Sequence, residues 1–183
     1  NIKVIGFDMD YTLARYHRRA IEELAYRLTI EKLLRLGYPS SIADLKYDPD
    51  FVIRGLTVDK KLGNIVKLDR HNHVGRAYHG KVPLTKEERK KHYRKTRLQF
   101  AEPRFLSVDT YFSLPEICLL ADLVHYFEAR GARSRDPWQL YEDTRDCIDE
   151  VHRDDSLKSV IKADLPTYID KDPYLAKTLH KFR

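Results

Sequence analysis

The run Ile2–Phe7, Ile-Lys-Val-Ile-Gly-Phe, ends on Asp8-Met9-Asp10, and no other segment restricts the fold as much. A half-exposed strand alternates apolar with polar residues. This run is denser than that and suits a buried parallel strand in an α/β sheet. The two aspartates then stand at the C-terminal end of the strand, where open α/β sheets bind their ligands. Taken alone, an Asp-x-Asp after a strand also reads as a turn or a helix N-cap.

A phosphate monoester is dianionic and repels nucleophiles. An enzyme that hydrolyses one needs charge neutralisation, an in-line attacking group and a proton for the departing alkoxide. Asp8 and Asp10 can divide that work, Asp8 as nucleophile and Asp10 as acid and then base. A hard cation such as Mg2+ would offset the like charges, held by the Asp8 carboxylate and the main-chain carbonyl of Asp10. Thr12 is placed to orient Asp10 through a hydrogen bond.

Further along, Thr29–Leu36 has helical spacing with Gly37 as its stop, and Leu56–Val58, Ile65–Leu68 and Val74–Tyr78 form a β-meander. The dense basic run Lys86–Arg97 reads as a solvated helix or loop, with a polyphosphate or oligomer contact as the alternative. Pro115–Arg130 is a strong helix ended by Gly131, and Asp136-Pro137 opens another that reaches about His152. A shorter helix follows Ser156, and Asp172-Pro173 starts a last one. His71-Asn72-His73 spells a nuclease-like HNH, but at a hairpin turn and without a Cys ligand nearby, which speaks against a zinc or nuclease site.

The 183 residues suffice for one domain with a real core or parts of two, and a formal charge of +6 suits an anionic ligand. Cys118 and Cys147 form no CxxC pattern, which fits a reducing compartment, and no signal peptide or membrane-length apolar run is present. A cytoplasmic location is the expectation.

On the helix from Pro137, at about 100° of rotation per residue, Leu140, Thr144, Cys147, Ile148 and Val151 gather on a core-facing side. Arg145, Asp149 and His152 fall on a neighbouring strip. Arg145 can donate to the O6 and N7 acceptors of a purine, and Asp149 can accept from a ring nitrogen or an amine. The plain alternative is a surface ion pair between residues four apart. Phe112, just before a helix, can stack on a base or belong to the core. Lys158 can contact phosphate or stand solvated.

These segments together resemble the cytosolic purine 5'-nucleotidases, the IMP–GMP-preferring branch of the haloacid-dehalogenase (HAD) superfamily. The resemblance rests on Gly6–Ala14, Gly37-Tyr38-Pro39, Arg54-Gly55-Leu56, Gly63-Asn64, His79-Gly80, Leu114-Pro115-Glu116, Arg145-Asp146 with Asp149, Val151-His152, and Ser156-Leu157-Lys158. It implies Asp8 as nucleophile, Asp10 as acid/base and Mg2+ as cofactor. By the same resemblance Arg145, Asp149 and Lys158 contact the nucleotide, Phe112 stacks on the base, and His152 lies in the base pocket. The implied partner is a purine nucleoside monophosphate, with neither nucleic acid nor a membrane expected, in a homo-oligomer. Two departures bear on base preference and effector control: Arg153 stands where animal members carry a tyrosine, and Lys86–Arg97 is unlike their sequence.

The implied fold class is α/β, a partial HAD-like Rossmannoid core with a large inserted α+β cap. Residues 1–15 would carry the first core strand, 16–170 the cap, and 171–183 a helix returning to the core. In this superfamily a Ser/Thr motif, a Lys motif and acidic metal ligands follow the cap, so the chain is expected to be a fragment, inactive alone. A phosphatase for another phosphomonoester and a non-catalytic HAD-fold binding protein are the rival readings.

Overall fold

A computed structural model describes residues 3–94, 98, 101–131 and 135–182. Ile2 and the end of the basic run at 95–97 therefore lie outside the described residues. Residues 3–8 form no strand and are exposed, with Val4 at 85% and Ile5 at 54% of full accessibility. The expected buried strand is corrected here. A parallel strand needs neighbours to pair its N–H and C=O groups, and among the described residues none runs beside this segment.

The chain continues through a turn into β1 (Arg15–Tyr16) and then α1 (Arg18–Arg35). This helix starts a full eleven residues before Thr29, where the sequence pattern predicted it. Ile21, Leu24, Ala25 and Leu28 already carry the helical spacing and are buried, while the ion pairs Arg18–Glu22 and Arg27–Glu31 link successive turns. Gly37, at φ +85°, ends the helix as expected.

A 3-10 turn (Ser40–Asp44) leads to the meander β2 (Thr57–Asp59), β3 (Asn64–Leu68) and β4 (Val74–His79). β5 (Val82–Pro83) and, after α2 (Lys86–Tyr93), β6 (Phe105–Ser107) complete a five-stranded antiparallel sheet in the order β5-β4-β3-β2-β6. His71, Asn72 and His73 form the β3–β4 turn, where Asp69 accepts from the N–H groups of His71 and His73. α2 is closed by a capping box between Thr85 and Glu88.

Three helices follow: α3 (Ser113–Ala129), α4 (Pro137–Arg153) and α5 (Ser156–Ala163). α4 begins as its sequence dictates, with Asp136 accepting from the Trp138 N–H and Pro137 in the first turn. A short α6 (Leu165–Tyr168), β7 (Ile169–Asp170) and α7 (Leu175–His180) end the chain. β7 pairs antiparallel with β1, Arg15 opposite Asp170, so the chain enters and leaves the helical layer at one place.

α3 is buried nearly all round. Its Leu114, Ile117, Leu119, Leu120 and Leu123 share one core with Tyr26, Ile30 and Leu33 of α1, Val58 and Ile65 of the sheet, and Leu140 and Cys147 of α4. Val66 and Ala77 point to the opposite face of the sheet, where Tyr93 of α2 and Phe105 cover them. At Gly80, φ +55°, a β-carbon would stand 2.8 Å from the His125 backbone nitrogen, so only glycine lets the β4–β5 turn lie against α3. The result is a mixed α/β architecture, and among the described residues no helix is long and apolar enough to cross a membrane.

Candidate active site

A pocket of about 320 Å³ opens where the turn after the aspartates meets the start of α3 and one side of α4; Asp10, Thr110, Phe112, Ser113, Glu116, Arg145, Ile148, Asp149 and His152 line it. Five residues singled out in the sequence thus come together: Asp10, Phe112, Arg145, Asp149 and His152. Asp8 and Lys158 are not among the lining residues. The Asp8 carboxylate accepts from the Met9 N–H at 2.9 Å, and Lys158 faces Asp155 at 3.5 Å, more than half exposed.

Asp10 sits in a tight loop. Met9 O accepts from the N–H groups of Leu13 and Ala14, and Tyr11, at φ +57°, donates to Ala14 O. Its orienting partner is not Thr12. Among the described residues the bond comes from the Tyr16 hydroxyl, which donates to Asp10 Oδ1 at 2.7 Å. Burial and that bond to a carboxylate push the Tyr16 phenol up to about 12, so it stays a donor at any physiological pH. The Tyr11 ring lies 5.5 Å from Tyr111 and 6.0 Å from Phe112, which ties the aspartate turn to the rim of the pocket.

Phe112 belongs to the pocket wall rather than the core, since it is 38% exposed. Its ring meets His152 edge-on, with centroids 6.5 Å apart and an interplanar angle of 88°. His152 Nδ1 lies 2.7 Å from Ile148 O, and a carbonyl can only accept, so Nδ1 carries a proton and donates. Nε2 is then the nitrogen left for another partner.

Arg145 makes the pairing the sequence suggested, but loosely, at 3.8 Å to Asp149. Its closer partner is Glu116, whose Oε2 is 2.9 Å from Arg145 Nη2. Arg145 Nε also donates to the Tyr141 hydroxyl at 3.4 Å. Glu116 is 1% exposed, and among the described residues its Oε1 has no hydrogen-bond partner. Burial pushes its carboxyl up to about 7, with Arg145 opposing and Asp149 adding to the rise.

Tyr16, Thr110 and Ser113 escaped the sequence reading, and Glu116 entered it only within the motif Leu114-Pro115-Glu116, with no role of its own. Glu116 alone left a signal there: an acid in the first turn of an otherwise apolar helix, four residues after Phe112 and so on the same strip.

As metal donors, Asp8 and Asp10 offer the hard oxygens that Mg2+ takes. Among the described residues no group of three or more His, Cys, Asp or Glu side chains converges to hold a metal ion.

One pocket therefore unites a carboxylate from an Asp-x-Asp turn, an exposed aromatic ring and an arginine between two carboxylates. A 5'-nucleotidase domain-containing protein of Dictyostelium discoideum is 36% identical over 187 residues, covering 100% of this chain and 31% of its own length. The 5'-nucleotidase domain-containing protein 2 of Rattus norvegicus and that of Homo sapiens are each 32% identical over 180 residues, covering 92% of this chain and 32% and 34% of their own. The chain spans about a third of the length of these curated relatives. Residues 1–183 match the 5' nucleotidase family from end to end, and the chain belongs to that family.

Proposed function

We propose that this chain supplies the nucleophile and the base-reading pocket of a phosphohydrolase that removes phosphate from purine nucleoside 5'-monophosphates, IMP and GMP foremost. The observation that carries the reading is the pocket itself, with Asp10 on its wall together with Phe112, Arg145 and Asp149. A nucleotide lying across it would have its phosphate toward the aspartates and its base against Phe112, within reach of Arg145 and Asp149.

The chemistry runs in two steps. An Asp8 carboxylate oxygen attacks phosphorus while the P–O5' bond breaks, and Asp10 delivers its proton to the leaving O5'. Water then attacks the aspartyl-phosphate, Asp10 takes the water proton, and the P–O bond to Asp8 breaks to release phosphate. Tyr16 holds Asp10 in place for both transfers. Mg2+, bound through the Asp8 carboxylate and the Asp10 carbonyl oxygen, would neutralise charge on the phosphate.

In this reading residues 16–170 are a cap inserted into a HAD-type core. The β1–β7 pairing supports it, because a cap that leaves and rejoins a core at one point needs its two connections side by side. The exposed Val4, Ile5 and Phe7 are likewise the side chains that a core sheet would bury.

Phosphate release from IMP, GMP, AMP, UMP and a sugar phosphate by the full-length protein tests the proposal. Arg145→Ala is expected to cut the preference for IMP over UMP by about 10- to 100-fold, the worth of one bidentate base contact. Equal loss on every substrate would make Arg145 structural. Release from none of them would favour a binding protein that keeps the fold.

A further inference from the structure

We infer that Glu116 is a positioning residue for base recognition: it holds the Arg145 guanidinium so that the remaining N–H groups face the pocket. The inference rests on the purine reading of that pocket.

Arg145 and Glu116 come from different helices, α4 and α3, and both line the pocket. An arginine side chain has several soft torsions, and one contact from its own helix would leave the fork free to swing. Asp149, four residues on along α4, is 3.8 Å away and half exposed, too loose to set the orientation. Glu116 is different. Its carboxylate is buried to 1% exposure and rests on a helix buried nearly all round, so the oxygen 2.9 Å from Nη2 is held in space by the core. Tyr141 adds a second, weaker restraint on Nε.

A device built for stability would not look like this. Burying a carboxylate is costly unless both oxygens are satisfied, and Oε1 has no partner among the described residues. An apolar residue of similar size would pack there without that penalty. The rise of the Glu116 carboxyl toward about 7 expresses the same cost. What the carboxylate does achieve is to neutralise and aim a cation that lines a ligand pocket. A guanidinium so balanced suits a carbonyl oxygen and a ring nitrogen better than a free phosphate, which an uncompensated arginine would attract.

The test is made in the full-length protein with Glu116→Gln, which keeps the size and removes the charge. The ratio of kcat/KM for IMP to kcat/KM for phenyl phosphate, which has no base, is expected to fall about 10-fold, one bidentate contact weakened rather than lost. The fall should lie in KM for IMP rather than in kcat. Glu116→Ala should lower the ratio further. Placed on Arg145→Ala, Glu116→Gln should change it by less than about 2-fold, because its effect passes through Arg145. An unchanged ratio, equal losses on both esters, loss of the fold in the isosteric Gln variant, or an undiminished effect on the Arg145→Ala background each overturns the inference. The two readings fail separately: if Arg145→Ala keeps its preference for IMP the purine reading falls, and if it loses that preference while Glu116→Gln does nothing only the role of Glu116 falls.

Discussion

The two ends of the pocket are built in opposite ways. At the end proposed to read the base, Glu116, Arg145 and Asp149 project from α3 and α4, whose buried faces share one core. At the end proposed to take the phosphate, Asp10 lines the pocket and Asp8 stands beside it, both on an exposed turn tied down by a few backbone bonds, the Tyr16 hydroxyl and the ring of Tyr11. The difference teaches where precision comes from in this chain. Packed helices hold Glu116, Arg145 and Asp149, whereas the segment before the aspartates leaves Val4 and Ile5 exposed and sets Phe7 against the ring of Phe182, 5.5 Å away.

The most severe way to break this contrast is to remove the proposed nucleophile. In the full-length protein Asp8→Asn is expected to lower phosphate release by at least about 10³-fold, as loss of an attacking group does, while leaving nucleotide binding measurable by calorimetry. Retained turnover would assign the attack to another residue.

Next come two truncations in the 183-residue chain, compared by urea unfolding. Leu119→Ala, in a side chain with 0% exposure, should cost about 2–5 kcal/mol. Ile5→Ala, at 54% exposure, should stay within about 0.5 kcal/mol. Similar costs at both sites would show that the first segment is packed as firmly as the helices.

A further test sharpens the comparison at the Glu116 end and is read from pH. The Glu116 carboxyl is raised from 4.5 to about 7 by burial, so between those values the native state holds a proton that the unfolded state has lost. Stability should therefore fall as pH rises through that window, by an amount on the order of 3 kcal/mol, and then level off. Arg145 and Asp149 are the charged groups that face it. Glu116→Gln should flatten the slope. An identical slope in that variant would mean that other groups carry the pH dependence.

Much of this was legible beforehand, in the places where the signal is local. The core side of α4, the cap at Asp136, the stops at Gly37 and Gly131 and the three strands of the meander follow from spacing and turn chemistry. The early turns of α1 were missed because charged residues interrupt the apolar spacing, and their ion pairs become visible only once the helix exists. β5 and β6, at two and three residues, are too short for any period to show. The run Ile2–Phe7 misled for another reason: apolar density describes what a segment would bury, and says nothing about whether a neighbouring strand is there to receive it.

By itself the sequence determined α3, α4, the cap at Asp136, the stops at Gly37 and Gly131 and the polar strip Arg145-Asp149-His152, because each depends on residues within a few positions of one another. It also marked Asp8 and Asp10 as a pair. Only the tertiary structure decided that Phe112 and Glu116 of the α3 start would face that strip, that Tyr16 rather than Thr12 would hold Asp10, and that Asp10 would reach the same pocket. Those choices come from the packing of α1, α3 and α4 around one core, and a packing angle between helices is set by contacts distant in sequence, which no local spacing records.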